Sequence, residues 1–231
     1  MPPMRRPSDD RIAQLAVACL AASNLITNRL LPGRAYVPWN LALAGGLVAL
    51  ARGAGHTLED LGLHPRNLKR ASLWGAAGAT GVAAVYAAIY ARSRGLLENQ
   101  RLSGLSNRAA LWHLAIHIPL GTALAEEVVF RSVLPVLLGK TRRAAWAPIV
   151  PSLLFGLWHV LPSHADTVAN GKKGIKAMAL DIAAAVVATT LGGGLLQAIG
   201  KRAGHIAAPV ALHVATNGIG MVAVRLADAR R

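Results

Sequence analysis

The sequence is poor in charge, and acidic residues are especially scarce. Only 15% of its 231 residues are charged, against about 25% in ordinary soluble domains. A single cysteine, Cys19, excludes an intrachain disulfide and any metal site made of cysteines alone. The chain also lacks an internal repeat, a low-complexity linker and an evident cleavable signal peptide. The scarcity of charged residues argues against an ordinary soluble domain.

Apolar residues are abundant instead, at 54% of the chain, and they occur in long runs. Several runs approach the ~20 residues needed to cross a hydrocarbon core of ~30 Å. A chain surrounded by lipid must satisfy its own backbone hydrogen bonds, which favours helices. We therefore expect an all-α, polytopic transmembrane helical bundle of about seven membrane helices. The predicted spans cover roughly 11–31, 36–52, 71–92, 111–138, 145–161, 174–199 and 204–225.

The segments between these spans complete the predicted organisation. Residues 1–10 are polar and rich in proline, and are predicted to form a disordered N-terminal tail. Residues 11–231 are predicted to form a single transmembrane domain. Residues 53–70 contain Thr57 and Asp60 at capping spacing, which predicts a short amphipathic helix along the membrane interface. Residues 162–173 are predicted to form a polar loop.

The formal net charge of +15 comes from basic residues that cluster between the apolar runs. No basic stripe lies on a soluble unit, so the charge does not indicate a nucleic-acid partner. Contact with anionic head groups explains the charge more simply. The predicted partner is therefore membrane lipid.

Ionisable and amide side chains, Asp181 of the sixth run among them, lie inside apolar runs, where a lipid environment would penalise them by several kcal/mol. They are therefore candidates for a functional site. The fourth run contains Glu126, Glu127 and Arg131, the fifth contains His159, and the seventh contains His213 and Asn217.

The two adjacent glutamates are predicted to have different roles. Arg131 follows Glu127 by four residues, so the two share one helix face and can form an ion pair. Glu126 is then rotated by about 100° and is free to face a cavity as a general base. A cluster that only ties helices together is an equally open interpretation of these residues.

The remaining polar residues suggest hydrolysis. Glu126 and His159 could hold and deprotonate a water, while His213 and Asn217, also four residues apart, could donate hydrogen bonds to an oxyanion. Alternatively, Glu126, His159 and His213 could hold a divalent metal such as zinc with one open position. The residues alone do not decide between these two. Trp158 lies near a span end and is predicted to belong to an aromatic belt.

Three motifs carry a resemblance to a known family. Glu126–Arg131 matches an EExxxR motif, Phe155–His159 matches FxxxH, and His213–Asn217 matches HxxxN. In this order, and inside apolar spans, they resemble the CPBP family, which contains CAAX prenyl proteases of the Rce type and bacteriocin-processing or self-immunity proteins.

The resemblance implies an intramembrane endopeptidase acting on a peptide or protein substrate. Water activation would fall to Glu126 and His159, and oxyanion stabilisation to His213 and Asn217. Glu127 and Arg131 would support the site, and the family is often labelled metalloprotease. The Ala-, Arg- and Gly-rich composition resembles bacterial members, so a bacterial plasma membrane is expected. A non-enzymatic immunity or scaffold protein on the same fold is the alternative, and a small transporter is a third.

Overall fold

The computed structural model describes residues 7–171 and 174–229, and within these ranges every regular element is a helix. The N-terminal half contributes three long helices and one short one, joined by turns. These are α1 Pro7–Arg29, α2 Tyr36–Gly53, α3 Leu68–Arg92 and α4 Gln100–Ser103.

The next helix runs continuously over residues 107–139 and is called the central helix below. It consists of α5 Asn107–Trp112, a π-helical segment His113–Leu124, α6 Ala125–Glu127, a second π-helical segment Val128–Val133, and α7 Leu134–Gly139. The residues at each junction keep right-handed helical φ and ψ, so no break separates the segments. Pro119, which has no N–H to donate, lies inside the first π-helical segment.

The C-terminal half contains α8 Val150–Trp158, α9 Val160–Ala169, α10 Ile175–Ala203 and α11 Ala207–Asp228. α11 packs along α3, and α10 packs against α8 and α9. The central helix contacts α1, α2, α8 and α11, so it lies in the middle of the bundle. The largest buried apolar cluster surrounds it and includes Phe130, Leu134, Phe155 and Trp158.

Three described helices are long and apolar enough to cross a membrane: Pro65–Arg92, Ile175–Ala203 and Ala207–Asp228. They correspond to the predicted third, sixth and seventh spans. The other four predicted spans are helical over most of their length. The all-helical class is confirmed, while the count of seven spans stays a prediction.

The predicted N-terminal tail is too long by at least four residues. Residues 7–10 already belong to α1, and residues 1–6 lie outside the described part of the chain. Asp9 and Asp10 lie in the first turn of α1, where a carboxylate interacts favourably with the helix dipole. Asp10 also accepts a hydrogen bond from the backbone N–H of Arg142. These interactions account for helix where a polar tail was expected.

The predicted interfacial helix within residues 53–70 is not formed. Thr57 and Asp60 exchange the expected hydrogen bonds, at 2.7 and 3.1 Å, but the chain then turns. Gly62 has a φ of +63°, and Leu61 is buried in the main apolar cluster. The carbonyl of Leu61 accepts a hydrogen bond from the Ser132 hydroxyl on the central helix. This tertiary anchor ends the helical geometry that the local capping pattern favours.

The predicted polar loop over 162–173 is mostly helical, because α9 continues to Ala169. Side chains in α9 bond back to its own carbonyls, as Thr167 does to Ser163. Asp166 forms an ion pair with Arg101, near the end of α4. The polar composition therefore belongs to a half-buried helix here rather than to an irregular loop.

Candidate active site

The two glutamates lie in α6, the short α-helical segment between the two π-helical segments. Glu126 is 5% exposed and Glu127 is fully buried. The Nε atom of Arg131 lies 3.1 Å from Oε2 of Glu127, with both side chains buried. The predicted i, i+4 pairing is therefore present. The contact is an ion pair rather than a well-aligned hydrogen bond.

His213 on α11 connects this ion pair to the second glutamate. Its Nδ1 lies 2.8 Å from Oε1 of Glu127, and its Nε2 lies 3.9 Å from Oε2 of Glu126. A carboxylate held in an ion pair with Arg131 can only accept hydrogen bonds, so the proton of this bond belongs to Nδ1 of His213. The bond fixes the orientation of the imidazole between the two carboxylates.

Trp158 holds the carboxylate of Glu126 from a third helix. The indole Nε1–H donates to Oε1 of Glu126 at 3.1 Å, and the side chain is buried. The prediction that Trp158 belongs to an aromatic belt is therefore wrong. A buried indole needs a hydrogen-bond acceptor, and this tryptophan directly precedes the motif histidine His159. That adjacency was the available sequence evidence for its role.

His159 occupies the junction between α8 and α9, where its φ of −84° and ψ of −2° separate the two helices. Its Nδ1 lies 2.7 Å from the carbonyl oxygen of Phe155, which can only accept, so Nδ1 carries the proton. The neutral ring then has its lone pair on Nε2. The contacts that join the glutamates to His213 do not include His159.

Phe155 provides the connection between the two histidines. Its ring packs edge-on against His159, with centroids 4.6 Å apart, and edge-on against His213 at 6.0 Å. The guanidinium carbon of Arg131 lies 3.9 Å from the centre of the same ring, a cation–π distance. Phe155 thus lies at the contact of α8, α11 and the central helix.

Asn217 lies one turn after His213 on α11 and is half-buried. The contacts that hold the cluster together link Glu126, Glu127, Arg131 and His213, and they do not include Asn217. Its position on the same helix face as His213 follows from the i, i+4 spacing.

Glu126 lines a small cavity between α1, α2, the central helix and α8, with room for about one water. Its Oε2 atom is buried and has no hydrogen-bond partner within the described part of the chain. Its Oε1 atom is held by Trp158. One carboxylate oxygen is thus fixed, and the other remains available to a small polar molecule. The lining includes Asn40, Phe130 and Trp158.

The donors proposed for a metal do not form a ligand set. Among the described residues, no group of three His, Cys, Asp or Glu side chains lies close enough together to hold a metal ion. Of the three, only Glu126 and His213 approach each other in the contacts that the structure gives for these residues, at 3.9 Å. The arrangement of Glu126, His159 and His213 therefore does not fit the open zinc site considered above.

The apolar helices and the buried acid–imidazole cluster define an integral membrane protein with a polar site enclosed by helices. Residues 108–219 match the model of a family described as type II CAAX prenyl endopeptidase, Rce1-like. This region contains all three motifs, and the match supports a membrane protease of the CPBP family. No curated protein and no solved structure shows significant similarity to the chain.

The match also supports a coarse function. At the level of the family, it supports an intramembrane endopeptidase of the CAAX type. Such an enzyme works in a lipid environment and takes peptide substrates.

Proposed function

We propose that the protein hydrolyses a peptide bond within the helix bundle, with Glu126 as the general base that activates a water. One observation supports this most directly. The Glu126 carboxylate is buried beside a cavity, with one oxygen held by Trp158 and the other without a partner in the described chain. A fixed carboxylate with one available oxygen has the geometry that proton abstraction from water requires.

The reaction follows from this placement. Oε2 of Glu126 takes a proton from the water while the water oxygen bonds to the peptide carbonyl carbon. The carbonyl oxygen takes the negative charge of the tetrahedral intermediate. Protonated Glu126 then transfers its proton to the amide nitrogen as the C–N bond breaks. The products are a carboxyl group and an amine, and Glu126 returns to its starting state.

His213 is proposed to stabilise the oxyanion. Its Nδ1–H donates to Glu127, and its Nε2 lies 3.9 Å from Oε2 of Glu126. In the imidazolium form Nε2 also carries a proton, which it would donate to the oxyanion. Asn217, one turn further along α11, is proposed as the second donor.

The other motif residues are proposed to position these groups. Glu127 and Arg131 hold the His213 ring through the 2.8 Å hydrogen bond and the buried ion pair. His159 is proposed to accept a hydrogen bond from the substrate through Nε2. The expected location is a bacterial plasma membrane, which agrees with the composition of the chain.

The test is cleavage of a fluorogenic lipopeptide panel by purified protein in detergent. Glu126→Gln keeps the shape of the side chain and removes the base, so we expect a loss of about 10²–10⁴-fold in kcat. Glu59→Gln is the control, because Glu59 is an exposed carboxylate paired only with Arg66 at the surface. This control should cleave at the wild-type rate.

Equal rates for wild-type protein and Glu126→Gln would overturn the assignment of the base. A chain that cleaves nothing, and whose cellular function survives Glu126→Gln, would instead support a non-enzymatic immunity or scaffold role on the same fold. Thermal unfolding midpoints of all variants must be matched before rates are compared.

A further inference from the structure

Asn40 is a polar residue buried in the middle of α2, and no motif includes it. Its side chain is 3% exposed. The Nδ2 amide donates to the carbonyl oxygen of Gly121 on the central helix at 3.0 Å. That bond identifies Nδ2 as the donor and leaves Oδ1 as an acceptor. Oδ1 is buried and has no hydrogen-bond partner within the described part of the chain.

The close approach of α2 to the central helix makes this contact possible. A Cβ at Gly121 would lie 2.8 Å from Val37 and 3.2 Å from the ring of Tyr36, so only glycine fits there. Val37 and Tyr36 lie on α2, just before Asn40. Asn40 therefore packs against the central helix at Gly121. Gly121 precedes Glu126 by five residues.

Asn40 and Glu126 line the same cavity. Each contributes an oxygen without a donor, Oδ1 of Asn40 and Oε2 of Glu126. The other residues that line this cavity are mainly apolar. Two buried acceptors beside one small cavity call for a molecule with two hydrogens to donate, and water is the smallest that has them. A peptide N–H offers one hydrogen and can satisfy one of the two oxygens.

We propose that Asn40 positions the hydrolytic water, with Oδ1 of Asn40 accepting one of its hydrogens and Glu126 accepting the other. This inference rests on the proposed function, because the water matters only if Glu126 activates it. Two acceptors fix both O–H bonds of the water, so its lone pairs point away from Asn40 and Glu126. Such orientation precedes attack on a carbonyl carbon.

The kinetic test uses Asn40→Leu, which keeps the approximate shape and removes the acceptor. We expect kcat to fall by about 10²-fold, since a misplaced reactant costs on that order. KM should stay within about twofold, because the water is not a binding contact of the substrate.

The matched control is Gln197→Leu. Gln197 is a buried amide on α10 whose Oε1 also lacks a partner within the described chain, but it does not line the cavity. It should keep wild-type kcat. An equal fall in kcat for Gln197→Leu and Asn40→Leu would show that loss of any buried amide impairs the fold, and would overturn the specific role of Asn40.

Two outcomes separate this inference from the proposed function. If Glu126→Gln loses activity while Asn40→Leu keeps it, the role of Asn40 is wrong and the general base stands. If Glu126→Gln keeps activity, the proposed general base and the role of Asn40 are both wrong.

An experimental density map of the wild-type protein provides a test that does not depend on the folding of the variants. Water within hydrogen-bond distance of both oxygens is expected, and a dry cavity would overturn the inference.

Discussion

Two arginine–glutamate pairs in this molecule have nearly the same separation and very different surroundings. Arg131 and Glu127 are 3.1 Å apart, with side chains 2% and 0% exposed. Arg66 and Glu59 are 2.9 Å apart, with side chains 68% and 62% exposed. Exposed pairs contribute about 0–1 kcal/mol, whereas removing one partner of a buried pair costs about 3–5 kcal/mol. Burial, not distance, separates the two pairs.

The comparison also explains why the candidate site lies where it does. Inside the bundle the effective dielectric is low, so each charge acts strongly on its neighbours. His213 on α11 lies 2.8 Å from Glu127 of the buried pair and 3.9 Å from Glu126. These contacts join the central helix to α11. The exposed pair is a local contact, because Glu59 and Arg66 lie seven residues apart, with Arg66 in the short helical turn Pro65–Asn67. The same pair of residue types forms part of the buried candidate site in one place and a local surface contact in the other.

The largest effect is expected for Arg131→Ala. It leaves Glu127 charged, buried and without its arginine, so the free energy of unfolding should fall by about 3–5 kcal/mol. Arg66→Ala is the exposed counterpart and should change it by less than about 1 kcal/mol. Both can be measured by thermal or SDS-titrated unfolding in detergent.

A double variant sharpens this prediction. Glu127→Leu with Arg131→Leu removes both charges and should recover most of the stability lost in Arg131→Ala. It should still cleave poorly, because Nδ1 of His213 loses its acceptor. If the double variant is as unstable as Arg131→Ala, then packing of the guanidinium on Phe155, rather than the unpaired charge, accounts for the loss.

An intermediate loss of stability is expected when a glycine at a helix contact, rather than an exposed glycine, is replaced by alanine. At Gly156 on α8, an added Cβ would overlap the Thr190 hydroxyl and lie 2.8 Å from the carbonyl oxygen of Val186, both on α10. Gly156→Ala should therefore lower the free energy of unfolding by about 1–3 kcal/mol. It should also reduce cleavage, since α8 carries Trp158.

Gly194→Ala on α10 is the control, because nothing lies within 4 Å of its added Cβ. Alanine is the better helix former, so this variant should match the wild type or exceed its stability by about 1 kcal/mol. Equal stability of the two variants would contradict the close contact of α8 with α10. The measurement is the apparent unfolding midpoint at matched detergent concentration.

The sequence predicted the site better where its contacts are local. The i, i+4 spacing of Glu127 and Arg131 was sufficient to predict their ion pair, and the apolar runs predicted α3, α10 and α11 to within a few residues. Contacts between distant segments had no such local pattern. Asn40 and Glu126 line the same cavity only because α2 packs on the central helix. No spacing of residues within α2 predicts that Glu126 lies nearby.

Local patterns also failed where tertiary packing overrode them. Thr57 and Asp60 form the hydrogen bonds that their spacing predicts, yet the expected helix does not follow. The apolar run around His159 was predicted as one span, but the chain breaks between α8 and α9 at that histidine. At the first place a long-range contact decides the geometry, because the carbonyl of Leu61 accepts a hydrogen bond from Ser132 on the central helix.

The smallest effect is expected at Asp60, beside the exposed pair. The backbone N–H of Thr57 donates to its carboxylate, and this bond, with that of the Thr57 hydroxyl, lowers the pKa of Asp60 below its ordinary value of 3.8. A carboxyl group with a lower pKa in the folded state adds stability above pH 3.8, and that stability is lost as the pH falls through the folded-state pKa.

Asp60→Asn removes this titration and is the variant that tests it. The unfolding midpoint of the wild type should exceed that of Asp60→Asn near pH 6, and the difference should shrink as the pH is lowered below about 4. Because Asp60 is exposed, salt should weaken the difference, whereas the loss in Arg131→Ala should respond far less to salt. If the difference in unfolding midpoint is unchanged at pH 2, or does not respond to salt, then the charge of Asp60 does not account for it. That result would contradict the expected contrast between exposed and buried charges at this loop.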